Sequence, residues 1–279
     1  MRKGKLLGQG RTAEVYAWGD FQVLKLFFTT WPAEWIHQEA RVARVVHEAG
    51  LACPAAGDLI EVEGRLGIVY ERIDGPSMLE EVARHPSRIV SLAHQFADLQ
   101  LAMHRRVEME LPPGRELLTR LIRNAPRLSD AIKEQLLGKM EQLPDEDGIC
   151  HGDYHPDNIL MTSRGPIVID WMSVTRGHPL ADVAGTYLLI RVAEASSGLG
   201  KLTRGFLDVL RRGFLSLYLR RYFRDSPHRR EQLDDWVPPI AAAYLGQGLT
   251  SQEEDRLISI IDAGLENRAP RASADSAVC

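Results

Sequence analysis

Cysteine is scarce in this chain. Cys53, Cys150 and Cys279 are the only three in 279 residues, too few and too scattered for a disulfide framework, which points to a reducing compartment. Long apolar runs are missing as well. No stretch approaches the roughly 18 residues that a spanning helix needs. Behind Arg2, Lys3 and Lys5 only Leu6-Leu7 precede Gly8, so no signal-peptide core is expected. Cys279 stands last and not fourth from the end, so no prenylation box is expected either. An excess of one charge sign is also lacking. The 34 Lys+Arg face 38 Asp+Glu, a formal net charge of −4, which gives no global pull toward nucleic acid or an anionic membrane. No internal repeat is found. What remains is ordinary globular material, 44% hydrophobic and 26% charged, with enough apolar surface for a core. The expectation is a soluble cytoplasmic protein of one large or two smaller domains, with no nucleic-acid or membrane partner. Nothing in the sequence bears on oligomeric state.

The first 73 residues differ from the rest. Leu6-Leu7, Glu14 to Trp18 and Gln22 to Phe27 are short apolar and aromatic runs broken by Gly8, Gly10 and Gly19-Asp20, and they predict a three-strand antiparallel meander. Glu34 to Gly50 carries Ile36, Ala40, Ala43, Val46 and Ala49 at helical spacing, with Gly50 as its stop. Two strands follow, Asp58 to Val62 and Leu66 to Arg72, joined by Glu63-Gly64-Arg65. Asp74-Gly75-Pro76-Ser77 reads as a turn-rich break between lobes. Beyond it the pattern predicts helices over Ser87 to Val107, Arg115 to Asn124 and Ser129 to Leu143. A β island then covers Gly148 to His151, Ile159 to Thr162 and Ile167 to Trp171. Helices resume near Leu180 to Glu194, Thr203 to Phe223, Arg229 to Tyr244 and Ser251 to Asn267, before a loose tail. This is an α+β arrangement. The predicted division is an N-terminal lobe at 1–73, a helical C-terminal lobe at 74–268 and a tail at 269–279.

The chemistry is concentrated in His151-Gly152-Asp153-Tyr154-His155-Pro156-Asp157-Asn158. Ile167-Val168-Ile169-Asp170-Trp171 follows and ends an apolar strand on a lone carboxylate. Such a charge needs a partner or a metal, and Asp153, Asn158 and Asp170 are the oxygen donors that a hard cation such as Mg²⁺ prefers. A second constellation is Leu7-Gly8-Gln9-Gly10-Arg11-Thr12-Ala13-Glu14-Val15. Its glycines let backbone N–H groups approach phosphates, though glycines also make plain hairpins. Lys25 interrupts the apolar run Val23 to Phe27 and needs an anion if it faces inward. Glu39, on the predicted helix, can supply one; a structural salt bridge is the alternative account of that pair alone.

A glycine loop, a strand lysine, a helix glutamate, His-x-Asp-x-x-x-x-Asn and a strand-end Asp, in that order, are the parts of eukaryotic-like kinases. From Leu6 to Asn267 the sequence resembles the aminoglycoside phosphotransferase and choline kinase family, most strongly over His151 to Leu160 and Ile167 to Ala184. His151-Gly152-Asp153 and Ile169-Asp170-Trp171 stand where protein kinases have His-Arg-Asp and Asp-Phe-Gly, marks of the small-molecule branch. The resemblance implies a protein-kinase-like two-lobed fold with a β-rich N-lobe and a larger helical C-lobe. It implies transfer of the γ-phosphate of ATP, or GTP as in some members, to a small hydroxylated substrate with Mg²⁺ as cofactor. It makes Asp153 the catalytic base and Asn158 and Asp170 the metal ligands. The same resemblance implies that Lys25 would contact the α/β-phosphates with Glu39 orienting it, that Gly8, Gly10 and Val15 would cover the triphosphate, and that Glu71 to Ile73 would pair with adenine through its backbone. Ala13 departs from the protein-kinase pattern, which has a third glycine there. His151 is expected to bond the backbone around Asp170, and Asp182 to brace the catalytic loop.

Several rivals weigh less. Alternating His and Asp can mark a metallohydrolase, but the order is wrong and the other histidines, such as His178, show no second cluster. A protein kinase needs a long activation segment, and only eleven residues separate Asp170 from Asp182. A non-catalytic nucleotide-binding module usually loses one of Lys25, Asp153, Asn158 or Asp170, all kept here. The acceptor itself stays open among aminoglycosides, macrolides, choline-like alcohols, sugars and amino-acid alcohols. Residues 201–230 carry nine basic and two acidic residues, and 231–279 three basic and nine acidic. The acidic stretch is compatible with a cationic acceptor or with solvated helix faces. The basic stretch beside it weighs against an aminoglycoside.

Overall fold

The computed structural model describes residues 3–104, 110–194 and 200–266. The end of the helix expected to reach Val107, Asn267, and the expected tail with Cys279 lie outside the described residues. The chain divides into two compact units, one of residues 1–112 and 147–176, the other of 113–146 and 177–279.

The first unit is built on a five-stranded antiparallel sheet. β1 (Leu6–Gln9), β2 (Ala13–Ala17) and β3 (Gln22–Phe27) form the expected meander, and β4 (Ala56–Val62) and β5 (Arg65–Glu71) the expected hairpin. Glu63 and Gly64, both at positive φ of 54° and 73°, make the hairpin turn, the conformation that matches strand twist. The strand order is β1-β2-β3-β5-β4, so β5 lies beside β3, with Lys25 opposite Ile68 and Val23 opposite Tyr70. Alternation along the strands gives the sheet two apolar faces. One gathers Trp18, Leu24, Leu26 and Val69. The other gathers Ala13, Phe27 and Ile68 against Ile36 and Ala40 of α1 (Ala33–Glu48). Helical spacing also puts Glu39 on the buried side of α1, facing the same sheet surface as Lys25. Gly50, at φ 71°, ends that helix with its N–H on the His47 carbonyl.

The break after β5 holds a helix that the apolar pattern did not predict. Ser77 accepts from the Glu80 N–H and Glu80 reaches back to the Ser77 N–H, a capping box that starts α2 (Met78–Arg84). α3 (Ile89–Met103) follows. After β6 (Gly148–Cys150) the chain forms the hairpin of β7 (Ile159–Thr162) and β8 (Gly165–Val168). The hairpin is pinned to the break by the Met161 N–H on the Pro76 carbonyl at 2.8 Å. Gly75 sits so close to it that a Cβ would lie 2.2 Å from the Met161 carbonyl oxygen. Gly75→Ala therefore has to push strand β7 aside. It is expected to lower stability by about 1–3 kcal/mol, read as a lower urea midpoint; an unchanged midpoint would show that the hairpin yields freely.

The second unit is helical: α4 (Gly114–Arg123), α5 (Asp130–Gln142), α6 (Pro179–Val192), α7 (Lys201–Asp225), α8 (Leu233–Tyr244) and α9 (Ser251–Glu266), with the short strand β9 (Thr175–Gly177) leading into it. α8 is its centre. It packs on α4, α5, α6 and α9 and buries Leu233, Trp236, Val237, Ile240 and Ala241 to Ala243. The fold is α+β, as expected. Among the described residues no helix is long and apolar enough to cross a membrane.

Candidate active site

All the candidate site residues lie in the first unit. Lys25 projects from β3 toward α1, and its Nζ is 2.7 Å from Glu39 Oε1 and 2.9 Å from Asp170 Oδ1. Burial alone would push the ammonium's pKa down, but Asp170 and Glu39 outweigh it and hold the pKa above its ordinary value. Burial pushes Glu39 up against the pull of Lys25 and of the Tyr70 hydroxyl, which donates to the same oxygen, Oε1, at 3.1 Å. The second oxygen, Oε2, is buried without a hydrogen-bond partner among the described residues. Asp170 adopts a left-handed backbone, φ 63° and ψ 62°. For a residue other than glycine this conformation is strained and needs support from its surroundings.

That support comes partly from His151, which is fully buried. Its Nδ1 accepts the Asp153 N–H at 3.2 Å, so its Nε2 carries the proton and donates to the Ile169 carbonyl at 3.0 Å. One ring thus ties the loop that carries Asp153 to the residue preceding Asp170. Trp171 packs beside the ring at 4.8 Å and donates its Nε1–H to the Val168 carbonyl. Tyr154 anchors the loop from below, stacked on Phe96 at 4.4 Å and donating to the Phe96 carbonyl at 2.7 Å.

Asn158 gives its amide N–H₂ to the Asp153 carbonyl at 2.9 Å and to Asp153 Oδ2 at 3.3 Å, which leaves its amide oxygen as the atom available to a cation. His155 Nε2 is 3.7 Å from Asp153 Oδ1. Burial pushes Asp153 up, but His155, His151 and Asn158 outweigh it and leave the carboxyl below its usual range. The oxygens of Asn158 and Asp170 are a hard-cation donor set, and the Asp170 side chain is 38% exposed despite its bond to Lys25. These residues fit a magnesium ion.

Gly8 lies in β1 opposite Val15, and the Gly10 N–H bonds to the Ala13 carbonyl. A Cβ at Gly8 would meet nothing within 4 Å, and one at Gly10 only the Ala13 oxygen at 3.7 Å. Neither glycine has a positive φ, so the hairpin itself does not require them. Glu71 ends β5 with its carboxylate on Arg164 at 2.6 Å and on the Ala55 N–H at 3.3 Å. The Arg164 bond holds its pKa below the ordinary value. Ile73 follows, in the stretch after β5.

Two features escaped the sequence reading. Tyr70 carried no polar signal, because a tyrosine in an apolar strand reads as core; only the pairing of β5 with β3 brings it to Glu39. Contrary to the expectation of no second histidine cluster, His178, His228 and Glu146 meet in the second unit, with Glu146 3.1 Å from His178 Nε2 and 3.7 Å from His228 Nε2. They are far apart in sequence and only the helix packing assembles them. His178 Nδ1 accepts the Leu180 N–H at the start of α6, so its Nε2 carries a proton toward Glu146 rather than a lone pair toward a metal.

The acidic run of α9 is spent on local structure. Glu253 accepts the N–H groups of Thr250 and Glu194, Glu254 that of Gly246, and Glu254 and Asp255 pair with Arg127.

Residues 3–233 match the model of the phosphotransferase enzyme family. No curated protein matches the chain by sequence. Among solved structures, a thermostable mutant of aminoglycoside phosphotransferase APH(4)-Ia is similar at TM-score 0.67 and 17% identity, covering 95% of this chain and 94% of that one. Amicoumacin kinase hAmiN, solved with AMP-PNP, Ca²⁺ and Ami, is similar at TM-score 0.60 and 14% identity, covering 95% and 89%. A choline/ethanolamine kinase family protein from Mesorhizobium loti is similar at TM-score 0.58 and 14% identity, covering 94% and 85%. The shared fold is protein-kinase-like.

Proposed function

Because the chain belongs to the phosphotransferase enzyme family, we propose that it moves the γ-phosphate of ATP to a hydroxyl of a small molecule in a Mg²⁺-dependent reaction. The observation that carries this reading is the Lys25 ammonium shared between Glu39 and Asp170, in the same compact unit as the Asp153–Asn158 pair. Phosphoryl transfer asks a protein mainly for positioning and charge neutralisation. Lys25 binds the α/β-phosphates and Glu39 orients it. Asp153, kept ionised by its neighbours, orients the acceptor hydroxyl and takes its proton. Asn158 and Asp170 would hold Mg²⁺, which would supply positive charge to neutralise the phosphates.

Gly8 and Gly10 leave the strand open where Val15 and its neighbours cover the triphosphate. The backbone from Glu71 to Ile73 pairs with adenine, consistent with the Glu71 side chain being taken up by Arg164. On this reading residues 1–73 form the nucleotide-binding lobe, and 74–268 carry the catalytic loop and the acceptor site. The internal use of Glu253 to Asp255 removes the acidic run as an argument for a polycationic acceptor.

The test is a Mg²⁺-ATP phosphotransfer screen over aminoglycosides, macrolides, choline-like alcohols, sugars and amino-acid alcohols, read by mass spectrometry. One class is expected to gain a phosphoryl group only when Mg²⁺ is present. Nucleotide binding without any phosphorylated product would instead indicate a non-catalytic module.

A further inference from the structure

Tyr70 joins two parts of the proposed nucleotide site. On β5 it stands opposite Val23, two residues from the pair Ile68–Lys25, and alternation puts its side chain on the same face of the sheet as Lys25. It immediately precedes Glu71, where the proposed adenine-reading stretch begins. Its ring packs against the cluster of Ala13, Phe27, Ile36, Ala40 and Ile68 that seats α1 on the sheet. Its hydroxyl donates to Glu39 Oε1 at 3.1 Å. Burial, foremost, and the charge of Glu39 keep the phenol's pKa well above its ordinary value, so the hydroxyl stays a donor.

The ion-pair geometry gives this hydrogen bond its consequence. Lys25 now divides its ammonium between Glu39 and Asp170. A nucleotide and cation would draw Asp170 toward the metal and Lys25 toward phosphate, leaving Glu39 to hold the lysine from one side. Of the Glu39 oxygens, Oε2 has no hydrogen-bond partner among the described residues, and Oε1 is shared by Lys25 and Tyr70. The Tyr70 bond is then the contact that fixes the carboxylate independently of the lysine.

We propose that Tyr70 is a positioning residue of the nucleotide site, its hydroxyl aiming Glu39 so that Lys25 meets the phosphates. This rests on the phosphotransferase reading and adds to it a residue that acts through Glu39 without touching the nucleotide. A hydrogen bond to a charged group, removed without other change, weakens what it supports by roughly ten- to a hundredfold.

The test is a double-mutant cycle on affinity for a non-hydrolysable ATP analogue with Mg²⁺, measured by titration calorimetry on the full chain. The variants are Tyr70→Phe, Glu39→Gln and the double variant, with thermal unfolding followed in parallel. Tyr70→Phe keeps the ring, so its melting temperature is expected to stay near wild type while affinity falls about ten- to a hundredfold. In the Glu39→Gln background the same change is expected to cost less than about twofold, because the charge it supports is gone. A merely structural tyrosine would cost the same in both backgrounds, and that result, or an unaltered affinity of Tyr70→Phe, overturns the proposal while leaving the phosphotransferase reading standing. Failure of the wild-type chain to bind the analogue would overturn that reading and this proposal with it.

Discussion

Asp153→Asn is expected to cut phosphotransfer by about 10²–10⁴-fold while leaving nucleotide affinity largely intact. Asparagine keeps the size of the side chain and can still meet the Asn158 amide, so the loop keeps its shape. What disappears is the carboxylate whose pKa His155, His151 and Asn158 hold below its ordinary value against the opposing effect of burial. A base of that kind orients the acceptor hydroxyl and accepts its proton as the new phosphate ester forms. Asp153 has no hydrogen bond to Lys25, whose carboxylate partners are Glu39 and Asp170, which is why binding and turnover separate. Initial-rate kinetics with saturating ATP, beside a titration of nucleotide binding, checks both halves. A variant with wild-type turnover would remove Asp153 from the chemistry.

Gly152→Ala is expected to be the most damaging single-methyl change near the site. Gly152 sits at φ 80°, a conformation that costs an L-residue about 1–2 kcal/mol. Its Cβ would also lie 2.5 Å from the Ser173 carbonyl oxygen and 3.0 Å from the Ser173 Cβ. Backbone on the other side cannot move cheaply, because Trp171 and the His151–Ile169 bond fix it. Strain and overpacking together are expected to cost roughly 2–5 kcal/mol, read as a lowered unfolding midpoint. Turnover should fall with it, since the residue carries the main chain into Asp153. A stable and active variant would mean that the loop relaxes away from Ser173.

Much of this site was legible because its signals are local. Lysine inside the run Val23 to Phe27 announced a buried cation, Glu39 on the predicted helix offered it an anion, and a strand ending on Asp170 announced a charge in need of a partner. Ser77 and Glu80 also carried a local signal, the capping spacing of α2, which the apolar pattern overlooked in a turn-rich stretch. What sequence could not give was juxtaposition across long separations. Lys25 meets Asp170 across 145 residues, Tyr70 reaches Glu39 only because β5 inserts beside β3, and Gly152 faces Ser173 only once the loop has folded back. The histidines of the second unit show the same limit: His178, His228 and Glu146 come from three separated segments. Charge density in the last helix left two readings open, and the contacts favour the plain one: Glu253, Glu254 and Asp255 serve α9's first turn and its surroundings, with Arg127 as ion-pair partner.

The central claim is that Lys25, Glu39, Asp170, Asn158 and Asp153 form one phosphoryl-transfer centre. Its most direct test is transfer of a γ-phosphate label from ATP, with and without Mg²⁺, into a panel of hydroxylated small molecules, comparing wild type with Asp153→Asn. The account predicts label on an acceptor hydroxyl for wild type with Mg²⁺, and almost none for the variant or without the metal. Equal labelling by wild type and variant, or bound ATP that no acceptor ever receives phosphate from, would contradict it.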